Sequence, residues 1–346
     1  MSLSRDQKKV DTGSTATWMA IEQPTTECDR CRLPQFLVIG AQKSGTTWLW
    51  QVLRSHPELR LPAQKEVHFF DRMIFKETIQ WYVDVVSGGD ENRLVVGEVT
   101  PSYSILKRQS IQLIRDLMPD LRVILLLRRP EERAWSQARM EVSGYNKREL
   151  TKLDILRCIW HTGVLRNRRR SDYRRILENW LSVFPRQQLF VGFYDEIEQS
   201  PDALLERICK FIGVDAKACT GRSESAERVW RSPQMEMPRA VLWYLKRRYR
   251  SVCDFVASEF DTGAAWKNVP EYRDECRLGE KASVLFSAYL TTVPYNMFYS
   301  VYDFIRDVRM APRIRRVRNE WWRQRASSQS AEDNHELNAS TSPEHP

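Results

Sequence analysis

A chain of 346 residues, 42% apolar and 29% charged, is long enough for one α/β domain with additions and a substantial core. Its net charge of +9 favours anionic ligands, membranes or polyanions, without separating a doubly phosphorylated nucleotide from an acidic glycan. Seven cysteines, at 28, 31, 158, 209, 219, 253 and 276, are odd in number, which excludes a complete disulfide framework and points to a reducing compartment.

Residues 1–34 are polar and read as an irregular arm. The opening, MSLSRDQKKVDTGSTATW, has neither the apolar stretch of a secretory signal nor a membrane anchor, so a cytoplasmic location is expected. Cys28 and Cys31 form one CxxC, but no second pair or histidine pair with zinc spacing accompanies it, and no metal site is expected.

The first strand, 36–40, enters the run FLVIGAQKSGTTWLW, in which a Gly-rich turn carrying Lys43 leads at once into the helix TTWLWQVLRSH. Gly40 and Gly45 permit a tight turn and a close approach of main-chain amides to an anion, and the helix adds unpaired N–H groups and its positive dipole end. Thr46 and Thr47 contribute hydroxyl donors, so the run is a phosphate cradle. Its lysine precedes the second glycine by two residues, where a nucleoside-triphosphate loop wants Gly-Lys-Ser/Thr, which disfavours ordinary ATP or GTP.

Next comes KEVHFFD, residues 65–71. A carboxylate in a partly dry cleft can have its pKa raised toward neutrality, so Glu66, with Lys65 beside it, is one group here able to take up a proton, or else a surface partner of Lys65. His68 is the rival, because imidazole titrates near neutral pH without help. A strand over 94–99 follows and ends in the turn TPSY, with Glu98, Thr100 and Ser102 as lesser candidates for acceptor contacts. After the helical pattern SILKRQSIQLIRDLM, the apolar strand 122–128 has the character of a parallel strand buried on both faces, and Pro130 suits a helix start. That strand ends in arginines, whose guanidinium groups match phosphate oxygens in bidentate fashion.

Residues 164–180, VLRNRRRSDYRRILENW, show amphipathic helical spacing, expected as a solvated basic helix face; lining a groove for an anionic acceptor is the second reading. The strand 188–193 leads through Tyr194 into a helix ending near Gly213. Residues 283–305 are apolar and aromatic but interrupted by polar residues and Pro294, and the arginine-rich VRMAPRIRRVRNEWWRQR follows with Trp321 and Trp322. A helical cap on the domain or on a second subunit is the default expectation, and attachment to an anionic membrane surface is the second. Residues 326–346 lack apolar periodicity and are expected to be disordered.

Strands alternating with helices predict an α/β fold: a P-loop-type parallel sheet with helices on both faces, plus a C-terminal helical extension. The domain reading is a polar arm at 1–34, the motif-bearing domain at 35–268, a basic aromatic extension at 269–325 and a tail at 326–346.

GAQKSGTTWL resembles the 5′-phosphosulfate loop of sulfotransferases that use 3′-phosphoadenosine 5′-phosphosulfate (PAPS), and RRPEERAWS resembles their 3′-phosphate segment. KEVHFFD and TPSY bring the resemblance closest to the heparan sulfate-type glycan enzymes and their bacterial relatives, over about two-thirds of the chain. It implies that Lys43, Ser44, Gly45, Thr46, Thr47 and Trp48 hold the 5′-phosphosulfate, Arg128 and Ser136 the 3′-phosphate, and that Tyr194 meets the adenine. Glu66 would accept the proton of the incoming hydroxyl, with His68 the alternative base, and Lys43 would offset charge on the leaving oxygen. The implied acceptor is a carbohydrate, glycolipid or other small hydroxyl compound, not a nucleic acid. Two departures stand out: Val99 replaces a lysine usual before TPSY, and SAERVWRSPQMEMP replaces a Lys-Gly-Arg-type loop, leaving Arg228 or Arg231 to supply its charge. A P-loop phosphotransferase and a noncatalytic polyanion- or membrane-binding module are the alternatives; the first needs a magnesium-binding acid after a strand.

Overall fold

The computed structural model describes residues 33–88, 94–144, 148–152, 154–218, 235–261, 266 and 277–340, with side chains described as far as Gln324. The arm with Cys28 and Cys31, the loop with Arg228 and Arg231, and the expected boundary at 268 lie outside the described residues.

In chain order the elements are β1 (Phe36–Gly40), α1 (Thr46–Leu53), β2 (Leu59–Arg60), α2 (Ile79–Ser87), β3 (Val95–Val99), α3 (Arg108–Leu117), β4 (Arg122–Leu127) and α4 (Pro130–Ser143). There follow α5 (Asp154–Gly163), α6 (Leu165–Arg170), α7 (Tyr173–Leu181), β5 (Leu189–Phe193), α8 (Tyr194–Gln199) and α9 (Pro201–Ile212). Beyond these lie α10 (Arg239–Glu259), α11 (Leu278–Leu285), a π-helical turn (Phe286–Leu290) and α12 (Val293–Ser340).

β1 is buried along its whole length, and its side chains alternate between two cores, Leu37 and Ile39 on one face and Phe36 and Val38 on the other. β4 repeats the division with Val123, Leu125 and Leu127 against Ile124 and Leu126. Strands apolar on both faces require a layer on each side, which α2, α3 and α7 provide on one face and α1 and α9 on the other. All pairings are parallel in the order β2-β3-β1-β4-β5, with Phe36 opposite Gly97 of β3 and Arg122 of β4. The strand order reverses at β1, so the crevice beyond its carboxyl end is the place where such sheets bind ligands. The parallel α/β architecture is as expected; β2, with two residues, is too short to stand out as an apolar run.

The helix expected over 164–180 is instead two, because the Asp172 side chain caps α7 by accepting from the Arg175 amide at 3.3 Å. Its arginines are not all solvated either: Arg170 is 2% exposed. A third apolar cluster joins α4, α5, α10 and α11, with Trp135, Val241 and Leu245 among its members. The middle of α12 packs Met310, Ile314 and Val317 into the main core beside α2 and α3. Burying each of those side chains contributes on the order of 2 kcal/mol. Past them the helical backbone of α12 continues to Ser340, over residues read from the sequence as disordered.

Candidate active site

Beyond β1 the chain makes the anion cradle. Gly40 and Gly45 have φ of +146° and +88°, so the turn needs glycine on conformational grounds, and a Cβ on Gly45 would also push the Ile197 side chain aside, at 2.3 Å from its Cδ1. α1 has no side-chain cap and no acidic residue in its first turn, and its first chain-internal bond is from the Leu49 amide to Gly45 O at 3.0 Å. The amides of Thr46, Thr47 and Trp48 thus remain for an anion. Two expectations change here. The Ser44 amide already donates to Ala41 O at 3.2 Å, and the Trp48 ring is packed in the core with Leu49 and Val52, so Trp48 offers only its backbone.

Among the described residues only three non-glycines have positive φ: Lys43 at 73°, Glu66 at 71° and His68 at 58°. Each such conformation costs on the order of 1 kcal/mol, and all three fall on residues that the sequence reading singled out. Lys65 Nζ donates to Thr47 Oγ1 at 3.1 Å and to Glu66 Oε1 at 3.1 Å, tying the second segment to the cradle. Glu66 Oε2 lies 3.2 Å from His68 Nε2, and His68 Nδ1 lies 3.0 Å from Asp71 Oδ1. The imidazole is therefore held between two carboxylates.

That arrangement reverses the expected pKa pattern. Burial alone would raise the Glu66 carboxyl, but hydrogen bonds from His68 and Lys65 and the charges of both outweigh it and lower it to about 2. Burial alone would lower His68, but hydrogen bonds to Asp71 and Glu66 and the Asp71 charge raise it to about 9. Glu66 is a fixed carboxylate and His68 an imidazolium, which already holds the proton a base would accept. The signs of linkage are opposite. The His68 contribution to stability is complete below its ordinary 6.5 and is lost as pH rises through about 9, whereas that of Glu66 is present above 4.5 and is lost as pH falls toward about 2. In an NMR titration the His68 ring is expected to change charge near pH 9 and to return toward 6.5 in Asp71→Asn; a midpoint near 6.5 in the unaltered protein would refute the three-residue chain.

Glu98, Thr100 and Ser102 lie behind this surface. Glu98 is fully buried; the Tyr82 hydroxyl donates to its Oε2 and the Thr100 hydroxyl to its Oε1 at 2.6 Å. Burial pushes its carboxyl up to about 7, so it is a structural link between β3 and the second segment, whose His68 amide donates to Thr100 Oγ1 at 3.5 Å. Ser102 accepts from Arg170 at 3.3 Å.

Arg128 ends β4 and stacks 4.2 Å from the Tyr194 ring centroid, where β5 gives way to α8, while its Nε donates to Glu132 Oε2 at 3.1 Å. Ser136 lies buried on the following helix, α4. Arginine at one strand end and tyrosine at the next are thereby brought together.

Three supporting residues escaped the sequence reading. Asp71 sits within KEVHFFD, one helical turn of spacing beyond His68, and that spacing was its available signal. Arg133 lies inside the arginine motif; it is wholly buried and donates to Gln42 O at 3.3 Å, Ser171 Oγ at 2.7 Å, Gln137 Oε1 at 2.8 Å and Asn167 O at 2.8 Å. Arg170 donates to the side-chain Oε1 of the same Gln42. Burial, and then the charges of Arg166 and Arg133, bring its guanidinium down to about 9, still cationic at neutral pH. Two buried arginines thus back the phosphate loop through Gln42.

Comparison with known proteins identifies the family of the fold that carries these residues. A model of the sulfotransferase domain matches residues 33–242. Human heparan sulfate glucosamine 3-O-sulfotransferase 3B1 is 31% identical over 189 residues, which are 53% of this chain and 47% of that protein. Mouse bifunctional heparan sulfate N-deacetylase/N-sulfotransferase 3 is 30% identical over 208 residues, 54% of this chain and 23% of that protein. The chain spans about half the length, or less, of these curated relatives. A sulfotransferase crystal structure from Alicyclobacillus acidocaldarius superposes with a TM-score of 0.53 at 23% identity, covering 68% of this chain and 100% of that one, a likeness of fold.

Proposed function

The chain belongs to the sulfotransferase domain family, and on that premise we propose that it transfers a sulfuryl group from PAPS to a hydroxyl of a carbohydrate or glycolipid. The observation that carries this reading is Lys65, whose ammonium lies 3.1 Å from both Thr47 of the cradle and Glu66. Donor site and candidate base are held side by side, the condition for direct transfer between two bound reactants. The names of the relatives, heparan sulfate glucosamine 3-O-sulfotransferase and heparan sulfate N-sulfotransferase among them, support a carbohydrate acceptor.

The residues present fit PAPS: uncapped amides and the Thr46 and Thr47 hydroxyls suit its 5′ end, with Lys43 beside them, Arg128 and Ser136 its 3′-phosphate, and Tyr194 its base. When bound, PAPS supplies an activated sulfuryl group whose leaving group is a phosphate. Glu66, ionised at every physiological pH, is always in the accepting form. Its low pKa makes it a weak base, so the acceptor proton moves to it only as the attacking oxygen becomes more acidic. His68 keeps its proton, and with Asp71 it fixes the carboxylate in place.

Calorimetric titration with adenosine 3′,5′-bisphosphate tests the donor assignment. Tight binding is expected, with Mg-ATP binding weaker. Arg128→Ala should weaken the bisphosphate about 30- to 150-fold, equivalent to losing about 2–3 kcal/mol of charge-assisted hydrogen bonding. Preference for Mg-ATP, or an unchanged Kd in the folded variant, would overturn the assignment.

A further inference from the structure

The described C-terminal segment is an amphipathic helix turned inside out. On its inner side Asn296 accepts from the Leu165 amide at 2.7 Å and donates to Gly163 O at 3.1 Å, Asp303 pairs with Arg169, and Asp307 pairs with Lys107. Its outer side carries Met297, Phe298, Val301, Phe304, Ile305 and Val308, between 51% and 70% exposed. Rotating the helix to hide them would break every one of the inward polar contacts, so the exposed apolar stripe is specified by the fold.

The same helix then becomes basic. Arg309, Arg315, Arg316, Trp322 and Arg323 are exposed along it, and Glu320, paired with Arg316 at 2.7 Å, is the one carboxylate in residues 308–324. Separately, a cavity of about 980 Å³ between α6–α7 and α10 is lined by Arg168, Arg169, Arg175, Arg247 and Arg248, with Asp172 as its one carboxylate. Burial, and then the charge of Arg248, hold the Arg168 guanidinium below its usual range, although Arg169 is paired with Asp303 and Asp172 lies in the same wall. Leu285 and Tyr289 form part of the cavity wall and are themselves 43% and 54% exposed, joining the arginine cavity to the apolar segment.

We propose that this face docks on an anionic lipid bilayer, the arginine cavity receiving headgroup phosphates and the outer side of residues 285–308 entering the acyl boundary. No described helix is long and apolar enough to cross a membrane, so the attachment is in the plane of the surface. A second copy of the chain would bring one arginine-rich face against another, whereas an anionic surface complements it. The proposal stands apart from sulfate transfer, since its test uses neither donor nor acceptor.

The test is flotation of the full chain with vesicles of phosphatidylglycerol and phosphatidylcholine, against phosphatidylcholine alone. Partitioning is expected to be at least about tenfold stronger on the anionic vesicles and to fall as salt is raised. Phe298→Asp combined with Phe304→Asp, and separately Arg247→Ala combined with Arg248→Ala, should each reduce it about tenfold, with thermal melting and bisphosphate affinity unchanged. Equal partitioning on both vesicles, or no loss in the folded aspartate variant, would overturn the proposal. So would a wild-type dimer that the aspartate variant converts to monomer without any vesicle binding, or capture by dextran sulfate alone.

Discussion

In a sulfate-transfer assay Glu66→Gln is expected to lower kcat by about a thousandfold, within the range usual for removing a positioned proton acceptor. The bisphosphate Kd should stay within about twofold, because the amide keeps the shape of the side chain and can still accept from Lys65 Nζ. The substitution also takes one of two carboxylates away from His68. Its imidazole should then titrate below the present value of about 9, so the residual activity of the variant should rise with pH as a neutral ring becomes available. A pH-independent residue of activity would leave His68 a purely positioning role, and full activity would remove Glu66 as the base. Loss of bisphosphate binding in a folded variant would mean instead that the carboxylate serves the cradle through Lys65.

The second large effect is on stability. Arg133→Met is expected to destabilise the fold by about 3 kcal/mol in urea unfolding, because several buried acceptors lose their donor at once and each orphaned group costs about 1–3 kcal/mol. Relief from burying a cation offsets part of that sum. Since Arg133 holds the Gln42 carbonyl from behind, the folded fraction should also bind the bisphosphate more weakly, as the loop loses one of its two supports. A loss below about 1 kcal/mol would show that water or Arg170 satisfies the same groups.

Much of the site was legible because its signals are local. The strand–turn–helix run through Lys43 carries its own instructions: apolar β1, glycines at the strained angles, and a helix whose first turn has no competing acid. The 3.6-residue and two-residue periods likewise disclose which segments alternate between layers. The break in 164–180 was hidden because Asp172 reads equally as a surface charge and as a cap, a choice made by whether the chain turns there. Glu98 looked like a candidate for the acceptor because a carboxylate beside TPSY gives no sign of the tyrosine, from α2, that occupies it.

Sequence alone gave away the anion cradle and the alternation of strands and helices that predicts a parallel sheet, β2 and the break at Asp172 excepted, since those signals lie in residues close together along the chain. The tertiary structure decided the charge states of Glu66 and His68, which follow from the placement of Lys65 and Asp71 around them rather than from residue type. It also decided the backing of the loop, where Gln42 and Arg170 meet across 128 positions of sequence, and the outward facing of the apolar stripe on α12. A pKa, a buried cation and an exposed face are properties of neighbours in space, whether near or distant in sequence, and their placement exists only once the chain has folded.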